Sequence, residues 1–284
     1  MQIAKTIKEI TVWRDSINSS LAFVPTMGAL HEGHISLIKA AKKLCDNVVV
    51  SIFVNPAQFA ADEDFDKYPR DFTKDEKLLK DNCVDMVFYP DDNEMYPVGF
   101  DTWVQVNQIS QVLEGACRPT HFKGVTTVVL KLFNIVRPNI AVFGQKDAQQ
   151  AVIIDKMVKD LNIPLQLHIV PTVRAVSGLA LSSRNAYLAT KELNAATSIY
   201  QALTAGKKLF DKGCRQADII KQNVQQILQQ ELLISHIDYI SLASIENLQE
   251  LIEITDGTAL LSVAVKIGQT HLIDNIILNE HVAK

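Results

Sequence analysis

Short β-branched runs alternate with helix-like stretches through the first two thirds of the chain. The runs are LAFVP (21–25), NVVVSIFV (47–54), VDMVFYP (84–90), TWVQV (102–106), IAVFG (140–144) and PLQLHIVP (164–171). Between most of them lie ISLIKAAKKL (35–44), TKDEKLLKDN (73–82), VVLKLFNIV (128–136) and DAQQAVIIDKMVKDLN (147–162), whose apolar residues recur at helical spacing. Strands joined by crossover helices pair in parallel and are covered on both faces, which is why the runs are continuously apolar. The fold class expected is α/β, a Rossmann-like doubly wound parallel sheet.

After about residue 185 the texture changes. Two amphipathic helices are expected, about Lys191 to Lys212 and about Ala217 to Leu233, broken at Gly213 and Cys214. A strand at IDYISLA, a short helix near ENLQELI, and a hairpin of ALLSVAVKI and THLIDNIIL turning at Gly268 and Gln269 complete a smaller α+β domain. The expected division is 1–175 and 176–284, with a boundary able to hinge. The opening segment MQIAKTIKEITVWRD mixes charge and apolar residues at helical spacing and has no apolar signal core, so a cytoplasmic location is expected. No run approaches the roughly 18 apolar residues of a membrane span. Cys45, Cys83, Cys117 and Cys214 are scattered, without the pairing of a zinc site or disulfide framework. The net charge of -4 argues against a broad nucleic-acid surface but leaves room for a small anionic ligand.

FVPTMGALHEGH (23–34) turns from a strand into a helix through a Gly-bracketed loop carrying two histidines. Such a turn points backbone N–H groups and a positive dipole end at the carboxyl edge of the sheet, which suits an anion. Gly28 lets the chain turn, Gly33 keeps a side chain out of the way, and His31 and His34 bring two imidazole donors. Simple helix capping and a metal are the alternatives, although the spacing is i, i+3 rather than that of HExxH. FGQKDAQQ (143–150) forms a second turn of this kind. There Gly144 ends a strand, Lys146 is a point charge for phosphates, Asp147 caps the helix or accepts from ribose, and Gln150 projects from the face of Lys146. GLALSSRN (178–185) sets Ser182 and Ser183 beside Arg184, which reads either as an ST-turn followed by a salt-bridged arginine or as a mobile loop able to close on phosphate. No G-x-G-x-x-G and no Walker A lysine are present.

FVPTMGALHEGH resembles the HxGH signature of the nucleotidyltransferase superfamily, which includes class I aminoacyl-tRNA synthetases. Together with SIFVNPAQF (51–59), DFDKYPRDFTKDEKLL (64–79), RPTHFKGVTTVVLKLFNIVRP (118–138), FGQKDAQQ and GLALSSRNAYL (178–188), it is similar in order and content to the pantothenate synthetase family over about residues 20 to 190. The resemblance implies that His31, His34, Lys146 and Arg184 are catalytic. It implies that Met27, Gly28, Gly33, Gly144, Asp147, Val173, Leu181, Ser182 and Ser183 also line the ATP site, Val173 through its backbone. Pro25, Thr26, Met27, Gln58 and Gln150 would meet the acyl and amine substrates, and Asp75 would serve Mg²⁺. Tyr68, Arg70, Arg118 and His121 would add donors around the cleft. Thr120, Ser177 and Ala148 depart from the residues common in the family, at positions not assigned to phosphate.

What the resemblance implies chemically is ATP-dependent condensation of pantoate with β-alanine through pantoyl adenylate, with ATP and Mg²⁺ required and a homodimer expected. His34 is the expected proton donor. Two other readings stay open. One is a nucleotidyltransferase with a different acceptor, which would release pyrophosphate without amine and never form AMP. The other is a nucleotide sensor without turnover. A tRNA synthetase is disfavoured by the absence of an anticodon-sized domain.

Overall fold

The computed structural model describes residues 1–60 and 63–280. The opening segment is not one helix. Gln2–Ala4 forms strand β1, and helix α1 (Ile7–Asp15) begins only after Thr6, whose hydroxyl accepts from Glu9 N–H while the Glu9 carboxylate accepts from Thr6 N–H. This reciprocal cap contributes about 1 kcal/mol and fixes where strand gives way to helix.

The chain continues through β2 (Leu21–Thr26), α2 (Glu32–Leu44), β3 (Asn47–Ile52), α3 (Phe72–Asp81), β4 (Met86–Phe88), the short α4 (Asp92–Met95) and α5 (Glu114–Cys117), then α6 (His121–Val136), β5 (Ile140–Gly144), α7 (Ala148–Asp160) and β6 (Gln166–Val170). Among the described residues these six strands form one parallel sheet in the order β1-β4-β3-β2-β5-β6. Winding runs outward from β2 in both directions, so β2 and β5 are neighbours at the switch point where ligands of such sheets lie. One apolar layer joins Phe23, Phe133, Phe143 and Ile154; the other joins Val24, Ile38, Val50 and Leu79, each of them buried.

TWVQV adds no strand. Val104 N–H donates to Thr127 Oγ1 at 3.0 Å and Val104 O accepts from Thr126 Oγ1 at 2.6 Å, so two helix threonines satisfy the backbone groups that a sheet would otherwise take.

The smaller domain packs α8 (Thr190–Asp211) and α9 (Ala217–Gln229) on an antiparallel sheet of β7 (Ile234–Ala243), β8 (Thr258–Ile267) and β9 (Thr270–Asn279). Helix α9 ends four residues before the expected Leu233. β8 and β9 pair from Ile267↔Thr270 outward, so Gly268 and Gln269 make the anticipated two-residue hairpin turn. ENLQELI is a turn rather than a helix. Ser244 N–H donates to Gln249 O, Asn247 Oδ1 accepts from Gln249 N–H, and the chain doubles back to pair Ala243 with Glu250. Arg174, in the chain after β6, reaches Asp274 on β9 through two bonds of 2.5 and 2.9 Å and lies 3.9 Å over the Tyr200 ring of α8.

Candidate active site

β2 leaves the sheet into the loop that precedes α2, with Gly28 at a φ of +81°. The loop is anchored from α3: Asp75 accepts from Ala29 N–H at 2.9 Å and from Leu30 N–H at 2.8 Å. Asp75 is 2% exposed and lies outside the cleft lining, so the expectation that it serves Mg²⁺ gives way to a loop-holding task. Burial raises its carboxyl pKa, opposed by those two N–H donors.

His31 stands at the N-cap of α2. Its Nδ1 accepts from Gly33 N–H at 3.1 Å, and His34 Nδ1 accepts from His31 N–H at 3.3 Å, with the two ring centroids 4.2 Å apart. The expected free backbone donors of this turn are therefore largely committed, to the imidazoles and to Asp75. An imidazole whose Nδ1 accepts carries its hydrogen on Nε2, so both rings have Nε2–H left to donate. Burial first, and the Lys146 charge second, push His31 down to about 4; burial and its neighbour His31 push His34 down to about 3. With their pKa values pushed down, both rings are neutral near pH 7 and present Nε2–H as hydrogen-bond donors. Gly33 has a reason that the sequence did not reveal: a Cβ there would sit 2.7 Å from the His31 ring.

Across the cleft, a 3₁₀ turn at Gln145–Asp147 leads from β5 into α7. Lys146 Nζ lies 3.3 Å from Asp147 Oδ1, and Asp147 makes no cap bond to the helix, so of the two expected roles for Asp147 capping is not the one adopted. Burial, the largest single influence, works to raise the Asp147 carboxyl pKa, but the Lys146 ammonium, with Arg184 and His34 behind it, holds the group below the usual range. A second 3₁₀ turn, Ser183–Tyr187, carries the SSR segment; Ser182 Oγ accepts from Arg184 N–H, and Ser183 Oγ donates to Ala29 O in the histidine loop at 3.3 Å. Arg184 makes two 3.1 Å bonds to Asp64. Val173 O accepts from Leu181 N–H at 3.0 Å, which sets these two residues side by side on the cleft wall.

At the other end, a 3₁₀ turn at Pro56–Gln58 follows β3. Gln58 is buried, accepts from Asn55 Nδ2 at 3.0 Å, and turns its Nε2 toward Met27 Sδ at 3.1 Å. Pro25, Thr26, Met27, Gly144 and Gln150 line the same cleft. Tyr68 lines it too, whereas Arg70 lies outside and donates to the carbonyls of Tyr68 and Phe65. Arg118 is spent on Glu63 and His121 on the carbonyl of Gln58, so both brace the wall.

Sequence reasoning missed three residues. Asn55, 1% exposed, accepts from Tyr96 O–H at 2.7 Å and orients Gln58; an Asn before a Pro at a strand exit was the available signal. His271 on β9 bridges Asp238 and Glu114 at 3.1 and 3.0 Å, and Asn275 reaches the Lys146 turn. Nothing in a strand's sequence says that it will face a cleft built by another domain.

The cleft measures about 1450 Å³, above the roughly 300–1000 Å³ that serves one small ligand, and draws walls from both domains. Among the described residues, no three His, Cys, Asp or Glu groups converge to hold a metal ion, and the cleft carboxylates Asp64 and Asp147 are paired with Arg184 and Lys146. This donor set does not fit a resident Mg²⁺. No helix among these residues is long and apolar enough to cross a membrane.

The family model described as pantoate-beta-alanine ligase matches residues 2–277. Pantothenate synthetase of Roseiflexus castenholzii is 48% identical over 278 residues, covering 98% of this chain and 99% of that one. The enzyme of the same name from Pelotomaculum thermopropionicum is 48% identical over 283 residues, covering 99% and 100%. The crystal structure of pantothenate synthetase from Thermus thermophilus superposes with a TM-score of 0.94 at 40% identity, over 99% of this chain and 100% of that one. Pantoate-beta-alanine ligase of Francisella tularensis, complexed with beta-gamma ATP and beta-alanine, gives 0.80 at 36% identity, over 98% and 97%. The chain belongs to the pantoate–β-alanine ligase family.

Proposed function

We propose that this chain condenses pantoate with β-alanine, using ATP, to give pantothenate, AMP and pyrophosphate. The observation that carries the reading is the pair of imidazoles with Nδ1 committed to backbone and Nε2–H left to donate, facing Lys146 and the SSR turn in one cleft that ends at the Gln58 amide.

The pantoate carboxylate oxygen attacks the α-phosphorus of MgATP, and the bond to the β-phosphate oxygen breaks to release pyrophosphate. The β-alanine nitrogen then attacks the acyl carbon of pantoyl adenylate, and AMP leaves. Mg²⁺ enters with ATP as part of the substrate, its coordination completed largely by phosphate oxygens and water. Nε2–H of His31 and His34 donates to the α-phosphoryl oxygens as charge builds, while Lys146, Ser182, Ser183 and Arg184 hold the leaving phosphates. Arg184 exchanges Asp64 for phosphate in this step. Gln58 offers N–H to an acceptor oxygen of pantoate, with Pro25, Thr26, Met27 and Gln150 around it; Val173 and Leu181 flank the nucleotide. The division at residues 175 and 176 gives a smaller unit that covers the adenylate and excludes water.

A cytoplasmic homodimer belongs to the same reading. The exposed edge strand β6, with Ile169 40% exposed, offers a surface for a second copy, and sedimentation decides it.

Product analysis with ATP, Mg²⁺ and pantoate, with and without β-alanine, tests the assignment. AMP and pantothenate formed together only when β-alanine is present are the expected result. Pyrophosphate release with no amine-dependent AMP would favour transfer to another acceptor instead, a reading that family membership does not favour.

A further inference from the structure

Asn275 of β9 is 3% exposed, and its amide is spent entirely on the turn between β5 and α7. Nδ2 donates to the main-chain oxygens of Gln145 and Lys146, both at 2.9 Å, and Oδ1 accepts from Gln145 Nε2 at 3.3 Å. Those two carbonyls belong to the peptide groups on either side of the Lys146 Cα. Pinning both planes fixes φ and ψ of that one residue, and with them the direction in which its side chain leaves the backbone. The neighbouring elements do not supply this restraint, because Gly144 and Asp147 make no side-chain cap bond at this turn.

We propose that Asn275 is a positioning residue for Lys146, so that the smaller domain takes part in adenylate formation through one side chain. The proposal rests on the reading of Lys146 as a holder of ATP phosphates. It requires loss of Asn275 to slow the step that expels pyrophosphate and to spare the step in which the amine attacks pantoyl adenylate.

The test places Asn275→Ala and Asn275→Ser in the wild-type and Lys146→Ala backgrounds. Pantoate-dependent exchange of labelled pyrophosphate into ATP reads the first step, and pantothenate formed from pantoyl adenylate plus β-alanine reads the second. Asn275→Ala is expected to slow exchange by about tenfold or more alone but by less than about twofold once Lys146 is gone, because residues acting as one unit do not add. The second step should stay within about twofold. Asn275→Ser, whose hydroxyl serves one carbonyl, should fall between, and it carries the same comparison if Asn275→Ala does not fold. Equal losses in both backgrounds, equal losses in both steps, exchange within twofold of wild type, or failure of both variants to fold would each overturn the proposal. If Lys146→Ala alone left exchange unchanged, the assignment of Lys146 itself would fall and this proposal with it, a pattern distinct from the others.

Discussion

At the scale of single residues, the site is set by where each imidazole puts its proton. Each ring gives Nδ1 to a backbone N–H, so the group presented to substrate is a neutral Nε2–H. Removing one such preorganised donor by His34→Ala should lower the adenylation rate by about 10²–10³-fold, measured as pyrophosphate exchange. With pKa values pushed down to about 3 and about 4, the rate should not rise as pH falls from 8 to 5.5; a rise tracking a group near 6.5 would mean that an imidazolium does the work. Stability follows the same shifts. Below pH 6.5 the unfolded chain binds protons that the folded chain refuses, so stability is undiminished above 6.5 and declines as pH falls toward the folded values. His34→Gln should flatten that decline between about pH 6 and 4 in denaturant titrations. Gly33→Ala should disable the site as well, because its Cβ needs the space that the His31 ring occupies. That the histidines and Lys146 sit at strand-to-helix turns was legible from residue type and spacing, and the resemblance of the SSR segment added Arg184; all four line one cleft. The tautomers and the commitment of the backbone donors were not legible, since both depend on a local fold-back of side chain onto backbone that no spacing encodes.

At the scale of elements, the site is carried by loops at the carboxyl ends of β2, β3 and β5 and by the SSR turn that follows β6, and each is braced from elsewhere in the molecule. Asp75 of α3 braces the histidine loop through two N–H donors. Asp75→Asn should cost about 1–3 kcal/mol, because one buried N–H loses its acceptor, and should slow adenylation without changing the Mg²⁺ concentration at half-maximal rate. A higher Mg²⁺ concentration at half-maximal rate would return Asp75 to the metal. Sequence periodicity found the long helices and the central strands, where apolar spacing decides the outcome. It failed at MQIA, TWVQV and ENLQELI, where a capping box, two threonines and an Asx turn decide instead. Those are local polar bonds, and they outweigh propensity in short segments.

At the scale of the whole molecule, the two domains are joined where the chemistry occurs. Asp274 and Asn275, adjacent on β9, tie the smaller sheet to Arg174 and to the Lys146 turn. Asp274 is 3% exposed, so Asp274→Ala leaves the Arg174 guanidinium without its partner and should destabilise the fold by about 3–5 kcal/mol in urea titrations. The alternation of strand and helix foretold the large sheet, and a change of texture foretold the smaller domain. Which side chains of the smaller domain would close the cleft was not legible, because contacts between domains leave no periodic trace in either one. Pantoate activated as its adenylate in this cleft must leave one carboxylate oxygen on AMP. Pantoate labelled with ¹⁸O in its carboxylate, incubated with MgATP and β-alanine, reveals this by mass analysis of the AMP released. One ¹⁸O atom in the phosphate of AMP is expected; AMP free of label would rule the acyl adenylate out.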